Sequence, residues 1–457
     1  MKRLPVAIWA MVVGAFAMGA DEFIVAGVVR EIAAALDVSI GTVGHLESVY
    51  ALGVAVGAPL FTALGTRFGR RSMLLTTTGV FLLGNLISAL SPTYEWIMAG
   101  RIVSAMAHGA FLGIAAVFAA EMVDPARKGR AVAVIFSGLT ASTVLGAPIG
   151  AAVGQALGWR FTFWTLVVFG GVALLGLIAS LPKSAAPTQL SPHADADAHA
   201  APAQDAVHGA EFEGLDAHAL AHLGGGGQGP TMREQAAALA RPVVWGALLT
   251  TLLGYGGVFT SYVYIAPQLT DVTGFNEVWI TPLLLLFGAG LFAGNYLGGK
   301  FADRNLRAAV LVSLGVLAMA LFTMTAAIHS QLATVIMMFV FGAAAFAVVA
   351  PLQLRVMAAA GHAPDVASAA NISAFTLGSA IGIYLGGAAI DSGLGFASVN
   401  WIGGLMTTAG LAVAVLTYRS GRELDHHTQP ASHHHEPSGH QHEPSAHTSH
   451  HHAEDAA

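Results

Sequence analysis

Twelve runs of about 20 predominantly apolar residues follow one another along this chain, and each is long enough to carry a helix across about 30 Å of hydrocarbon. They lie near residues 5–29, 43–65, 72–91, 96–122, 130–153, 159–181, 242–268, 278–301, 308–328, 331–358, 365–390 and 396–418, and are numbered here as spans 1 to 12. A backbone in lipid must satisfy its own hydrogen bonds. Runs this long and this uniformly apolar do so as helices rather than as barrel strands. With 55% hydrophobic residues against 10% charged, the chain is far from the average soluble domain. The expected fold is an all-α membrane protein with twelve transmembrane helices. Leu4–Gly27 is longer than the core of a signal peptide and ends without a clear cleavage pattern, so it reads as span 1.

Lysine and arginine set the expected orientation. With the N-terminus in the cytoplasm, seventeen of the 20 basic residues fall in or beside cytoplasmic segments, Arg67, Arg70, Arg71, Arg304, Arg307 and Arg355 among them. Arg30 and Arg160 lie outside, and Arg101 is inside span 4. This bias predicts a multi-pass protein of the plasma (inner) membrane with both termini cytoplasmic. There is no cysteine, which excludes disulfides and thiolate metal sites.

The segment 183–241, rich in Ala, His, Asp and Gly and containing "HLGGGGQGP", has too little apolar surface to fold alone. Four parts are therefore expected: an N-terminal six-helix bundle at 1–182, a cytoplasmic linker at 183–241, a C-terminal six-helix bundle at 242–420 and a disordered, His-rich cytoplasmic tail at 421–457. Near the end of the linker, Thr231 and Glu234 have the spacing of a helix capping box. The two bundles read as repeats at an offset of 237 residues. "LPVAIW" at 4–9 then faces "RPVVWG" at 241–246, and "TRFGRR" at 66–71 faces "DRNLRA" at 303–308, pairing Arg67 with Arg304 and Arg70 with Arg307. Pseudo-symmetric six-helix halves suit a transporter whose substrate site lies between them.

Span 5 places Gly138, Ser142, Gly146, Gly150 and Gly154 at every fourth position with Pro148 among them, and span 11 does the same with Ala374, Gly378, Gly382 and Gly386. Such faces let helix backbones approach closely, and ordinary helix packing is enough to account for them.

The stretch "GADEFIVAGVVREI", Gly19–Ile32, sets Asp21 and Glu22 inside an apolar span. A charge near the bilayer centre costs a few kcal/mol or more, so such groups face a partner or a water-filled cavity. Counted along the helices at about 1.5 Å per residue, Glu22 in span 1 and Arg101 in span 4 reach similar depth, and His108 follows Arg101 by two turns. Neighbouring helical residues point about 100° apart, so Asp21 and Glu22 cannot both address one spot. Glu22 with Arg101 is either a proton-coupling pair or a static ion pair. His108 is either a proton carrier or a packed histidine. Asp21 is expected at the outer interface or capping a backbone group.

The second half differs in kind. Span 7 carries Tyr255, Phe259, Tyr262 and Tyr264, span 10 carries Met337, Met338, Phe339, Phe341 and Phe346, and neither span holds an acid. The expectation is an N-terminal half that handles protons and a C-terminal half that offers an aromatic, Met-lined wall to an organic substrate, with Tyr255, Tyr262 and Asn295 closest to it. Core or lipid-facing positions would account for most of these side chains equally well.

Taken with "GRIVSAMAHGAFLGIAAV" and "VLGAPIGAAVGQALGWRFTFW", the span 1 stretch resembles the major facilitator superfamily, in particular its drug:proton antiporter branch with the chloramphenicol and arabinose efflux permeases. The resemblance covers both halves and implies two bundles, alternating access and proton-driven export. It implies Glu22 as the helix 1 acid, Arg101 as the helix 4 arginine and Gly146–Pro148 as the helix 5 antiporter pattern, and so favours Glu22 over Asp21. Arg67, Gly69, Arg70 and Arg71 match the first copy of the loop motif; Asp303, Arg304 and Arg307 match the second. The first copy departs from the pattern at Thr66, where the superfamily has Asp, and at Thr62, where it has Gly.

A rival reading rests on the tail, where Asp425–Ala457 holds eleven histidines, among them His433, His434, His435, His450, His451 and His452. Neutral imidazoles bind nickel, cobalt or zinc, so the alternative is a divalent metal exporter with weak metal binding by its tail. The same tail also reads as a solvated, neutral segment. The sequence contains no GxxxxGK[ST] and no HExxH, so neither ATP use nor metallopeptidase hydrolysis is expected. The functional expectation is a non-enzymatic, cofactor-free secondary transporter, monomeric and without nucleic-acid partners. It would exchange protons across the lipid bilayer for a small-molecule substrate, a drug such as a phenicol or a sugar.

Overall fold

The computed structural model describes residues 5–65, 69–124, 128–181, 237, 239–361 and 364–419. Thr66, Arg67, the linker cap at Thr231 and Glu234, and the tail with His433, His434, His435, His450, His451 and His452 lie outside those residues. The N-terminal half consists of α1 (Val6–Ile24), a short α2 (Val29–Leu36), α3 (Ile40–Gly65), α4 (Arg70–Leu90), α5 (Tyr94–Glu121), α6 (Lys128–Leu157) and α7 (Arg160–Ser180). The C-terminal half consists of α8 (Pro242–Tyr262), α9 (Ile280–Arg304), α10 (Leu306–Ala327), α11 (Gln331–Ala347), α12 (Val349–Ala360), α13 (Pro364–Ala389) and α14 (Ser398–Arg419). Eleven described segments are long and apolar enough to cross a membrane. The 26-residue α3, packed between α5 and α13, completes the twelve. Span 10 is made of two pieces, α11 and α12, which meet at Val348.

The offset of 237 survives in three dimensions: α5 starts at Tyr94 and α11 at Gln331, and the starts of α4 and α10 agree with it to within one residue. Packing repeats as well. The glycine stripe of α6 lies on α1, where a Cβ at Gly138 would meet the Val12 carbonyl oxygen and one at Gly150 that of Ile24. The stripe of α13 lies on α8 in the same way, Gly378 on Leu252, Gly382 on Gly256 and Gly386 on Thr260. The close approach expected of both stripes is thus used within each half.

The halves meet near the end of the molecule remote from the start of α1 and the end of α14, here the far end. There Ser48 Oγ donates to Ala380 O at 3.1 Å, Tyr264 Oη donates to Ile383 O at 2.9 Å beside Gly44, and His45 stacks on Tyr384 with ring centroids 5.2 Å apart. Arg30, just past α1, pairs with Asp271 at 3.0 Å and donates to Thr270, and Gln155 Nε2 donates to Glu277 O at 3.0 Å. Deeper in, Gly288 of α9 lies against Val144 of α6. Pro148 has no N–H to give the Val144 carbonyl, so the proline falls where α6 faces the other half.

Arg355 lies beside the last turn of α14, at the same end of the molecule as the start of α1. It is buried within α12, where it donates to Thr250 Oγ1 at 3.0 Å and Thr417 Oγ1 at 2.5 Å and lies over the Tyr418 ring.

Candidate functional site

The charge pattern inside the N-terminal half differs from the expected Glu22–Arg101 pair. Fully buried Arg101, on α5, reaches Asp21 Oδ1 of α1 through Nη1 at 2.5 Å and Glu47 Oε1 of α3 through Nη2 at 2.7 Å. Nη1 also donates to the Asp21 carbonyl at 2.7 Å, and Asn85 Nδ2 of α4 donates to Asp21 Oδ2 at 3.2 Å. Asp21 is therefore a central, buried member of the cluster and does not reach the outer interface. The reason is the rotation of α1. Ala20, Phe23 and Ile24 face the α6 glycines, which turns Asp21 toward α4 and α5.

Glu22 points between these two faces. It is half-buried and has no hydrogen-bond or ion-pair partner among the described residues. Tyr255 and Tyr262 of the other half lie within electrostatic reach of it. The Tyr50 ring supports Arg101 from below, 3.9 Å from the guanidinium carbon. Tyr50 Oη lies 3.0 Å from His108 Nδ1 and 3.3 Å from Met18 O, so His108 joins the cluster through this tyrosine.

Across from the charges stands an aromatic wall. Phe23 of α1 meets Tyr262 and Phe259 at 5.9 and 6.1 Å, Tyr262 stacks on Phe287 at 4.9 Å, and Phe287 meets Phe341 at 5.3 Å. Tyr255 packs edge-on against Phe375 at 4.7 Å. The hydroxyls of Tyr255 and Tyr262 have no hydrogen-bond partner among the described residues, which leaves two donors on an otherwise apolar surface. Met337, Met338 and Phe341 of α11 point inward, whereas Phe339 is exposed on the outer surface. Tyr264 belongs to the far-end seam. Asn295, half-buried on α9, is two turns along from Gly288 on the face that Gly288 turns to α6.

The repeat makes the contrast between the halves quantitative. At the offset of 237, Asp21, Glu22, Glu47, Tyr50 and Arg101 correspond to Val258, Phe259, Leu284, Phe287 and Met338, all buried and apolar. One half holds a charge cluster where the other holds the aromatic wall.

Of the loop residues, Gly69 precedes α4 and Arg70 opens it, exposed, while Arg71 has a buried Nε without a partner. Asp303 and Arg304 are exposed at the end of α9, and Arg307 lies over the Tyr418 ring at 5.1 Å. Gly146 and Gly150 contact α1 as described above. Glu47 is a functional residue that the family resemblance does not point to, although it has a signal of its own: an acid seven residues into α3 is as exceptional in an apolar run as Asp21. Among the described residues, no group of three or more His, Asp or Glu side chains is gathered as a metal site would need.

Two six-helix repeats with buried charges and an aromatic wall between them define a membrane-embedded secondary transporter of small molecules. The chain belongs to the Major Facilitator Superfamily, whose family description matches residues 11–382. It is similar to the inner membrane transport protein YdhP of Escherichia coli K12, with 38% identity over 91% of this chain and 95% of that one. It is also similar to the chloramphenicol resistance protein of Streptomyces lividans, at 33% identity over 90% and 96%, and to the putative transporter AraJ of E. coli, at 29% over 93% and 97%. In fold it is similar to the partially occluded, inward-open conformation of the E. coli xylose transporter XylE, with a TM-score of 0.62 at 16% identity, covering 91% of this chain and 97% of that one.

Proposed function

We propose that this protein is a proton-coupled antiporter of the inner membrane that exports a small organic compound by alternating access. The observation that carries the reading is the buried cluster of Asp21, Glu47 and Arg101, with Glu22 free beside it and the aromatic wall opposite. Ionisable groups are expensive to keep at this depth, and proton relays are a common use of them. Asp21, Glu22, Arg101 and His108 handle the proton. Tyr255, Tyr262 and Asn295 meet the substrate. Gly146, Pro148 and Gly150 hold α1 to α6, while Arg67, Gly69, Arg70 and Arg71, with Asp303, Arg304 and Arg307, serve the loops that change partners as the halves rock.

In this reading the chain works as a monomer, divides at 1–182, 183–241, 242–420 and 421–457, and keeps both termini in the cytoplasm. The far end is then the outer face, and its seam closes the outer side. The relative named for chloramphenicol resistance favours an organic substrate such as a phenicol, with a sugar as the other organic candidate.

Inside-out vesicles with an imposed pH gradient test this with chloramphenicol, arabinose, nickel and zinc as probes. Gradient-dependent accumulation of an organic probe, abolished by a protonophore, is the expected result. Accumulation of a metal ion alone would reverse the choice of substrate.

A further inference from the structure

The cluster around Arg101 contains more negative than positive groups. One guanidinium lies between two carboxylates, at 2.5 Å from Asp21 and 2.7 Å from Glu47, and Glu22 adds a third nearby. Carboxylates that share a buried site do not both ionise freely, and uncompensated buried charge costs several kcal/mol. One proton removes most of that penalty, and geometry selects its place.

Asp21 is equipped to remain an anion. Arg101 donates to Oδ1, Asn85 donates to Oδ2, and the Asp21 carbonyl takes a further bond from Arg101. Glu47 accepts a single bond, at Oε1 from Arg101, and Oε2 has no partner among the described residues. The cluster also keeps two buried atoms unused, the donor Arg101 Nε and the acceptor Asn85 Oδ1. Buried polar atoms are normally paired, so these two mark the cluster as a polar network that is only partly satisfied.

We propose that Glu47 is a proton-binding site, protonated at Oε2 in this arrangement, and that it takes up and releases the transported proton. The proposal rests on the antiport reading above. On release, the Glu47 O–H bond breaks, the proton passes to water, and the electron pair stays on the carboxylate, which then competes with Asp21 for Arg101 and its unused Nε. The groups facing Glu47 are Asp21 and Glu22 from α1, Arg101 and, through Tyr50, His108 from α5, and Tyr262 from α8 with Tyr264 just past its end. From α13, Tyr384 faces His45, and Asp391 just past the helix faces Gly41, both farther out along α3. Coupling to the halves follows from position, because the next residue, Ser48, bonds to Ala380 of α13. A change of charge at Glu47 therefore acts on the helix that forms the seam.

Infrared spectroscopy of the purified full chain in nanodiscs, with no substrate present, tests the proposal directly. The protonated-carboxyl band is expected in the wild type, lost in Glu47→Gln, shifted in Glu47→Asp and retained in Glu22→Gln. A wild type without such a band, or a band that survives Glu47→Gln and disappears in Glu22→Gln or Asp21→Asn, overturns it. In inside-out vesicles, Glu47→Gln should lose gradient-driven chloramphenicol accumulation but keep downhill exchange. If the wild type itself accumulates none, the antiport reading fails for that probe, while the infrared result still decides whether Glu47 holds a proton.

Discussion

Arg101 Nη2 stands 2.7 Å from Glu47 Oε1 while Nη1 of the same side chain stands 2.5 Å from Asp21 Oδ1, so a single buried cation ties α1 and α3 to α5. Arg101→Ala leaves two buried acids without their cation and should destabilise the fold by about 3–5 kcal/mol. The triple variant Asp21→Val, Glu47→Leu, Arg101→Met copies the residues at the equivalent positions of the other half, Val258, Leu284 and Met338, and should recover most of that stability without active transport. Thermal unfolding in detergent compares the three proteins. A triple variant as unstable as Arg101→Ala would show that lost packing, not stranded charge, is the cause.

Much of this architecture could be read directly from the residues. Spans are legible because each apolar run matches a membrane thickness, and both glycine stripes are legible because their four-residue repeat survives as one helix face. The partner of Arg101 was not. Asp21 and Glu22 differ by about 100° of helix rotation, and the rotation of α1 is set by its contact with Gly146 and Gly150 of another helix. Glu47 lies on a span whose contacts run to both halves, so its role depends on tertiary neighbours that no local pattern records.

The close approach of α6 to α1 predicts that Gly150→Leu is destabilising, since a Cβ there already meets the Ile24 carbonyl oxygen, and overpacking costs about 1–3 kcal/mol. Gly382→Leu should do the same at α8, where the Gly256 carbonyl stands in the way. Gly79→Leu, with nothing within 4 Å of its Cβ position, should be close to neutral. The yield of monodisperse protein and its unfolding temperature rank the three variants.

The far-end seam must open if access alternates. The chain has no cysteine, so the pair Ser48→Cys and Ala380→Cys, introduced where Ser48 Oγ lies 3.1 Å from the Ala380 carbonyl, is free of background reaction. Oxidation should stop transport, and reduction should restore it. Full activity in the cross-linked protein would show that the seam stays closed throughout.

Glu31, just past α1, is expected to make closure of the seam depend on pH. Burial raises its carboxyl above the usual range and Glu277 nearby adds to this. If opening exposes Glu31, the closed seam holds its proton more tightly than the open one. Closure is then favoured at low pH, and the preference is lost as pH rises through the raised value. Labelling of a cysteine at Ser48, normalised to the same thiol in the unfolded protein to remove the pH dependence of the thiolate itself, should therefore quicken as the pH on that side rises, and Glu31→Gln should flatten the normalised profile. A profile unchanged by Glu31→Gln would assign the dependence to another group.

Coupling of proton and substrate is the central claim, and linkage requires it to work in both directions. Proteoliposomes loaded with a pH-sensitive dye, with no initial pH difference, should develop one when a chloramphenicol gradient is imposed, as protons move opposite to the compound. Arg101→Ala should show none. Chloramphenicol moving down its gradient through the wild-type protein while the internal pH stays constant would contradict the account.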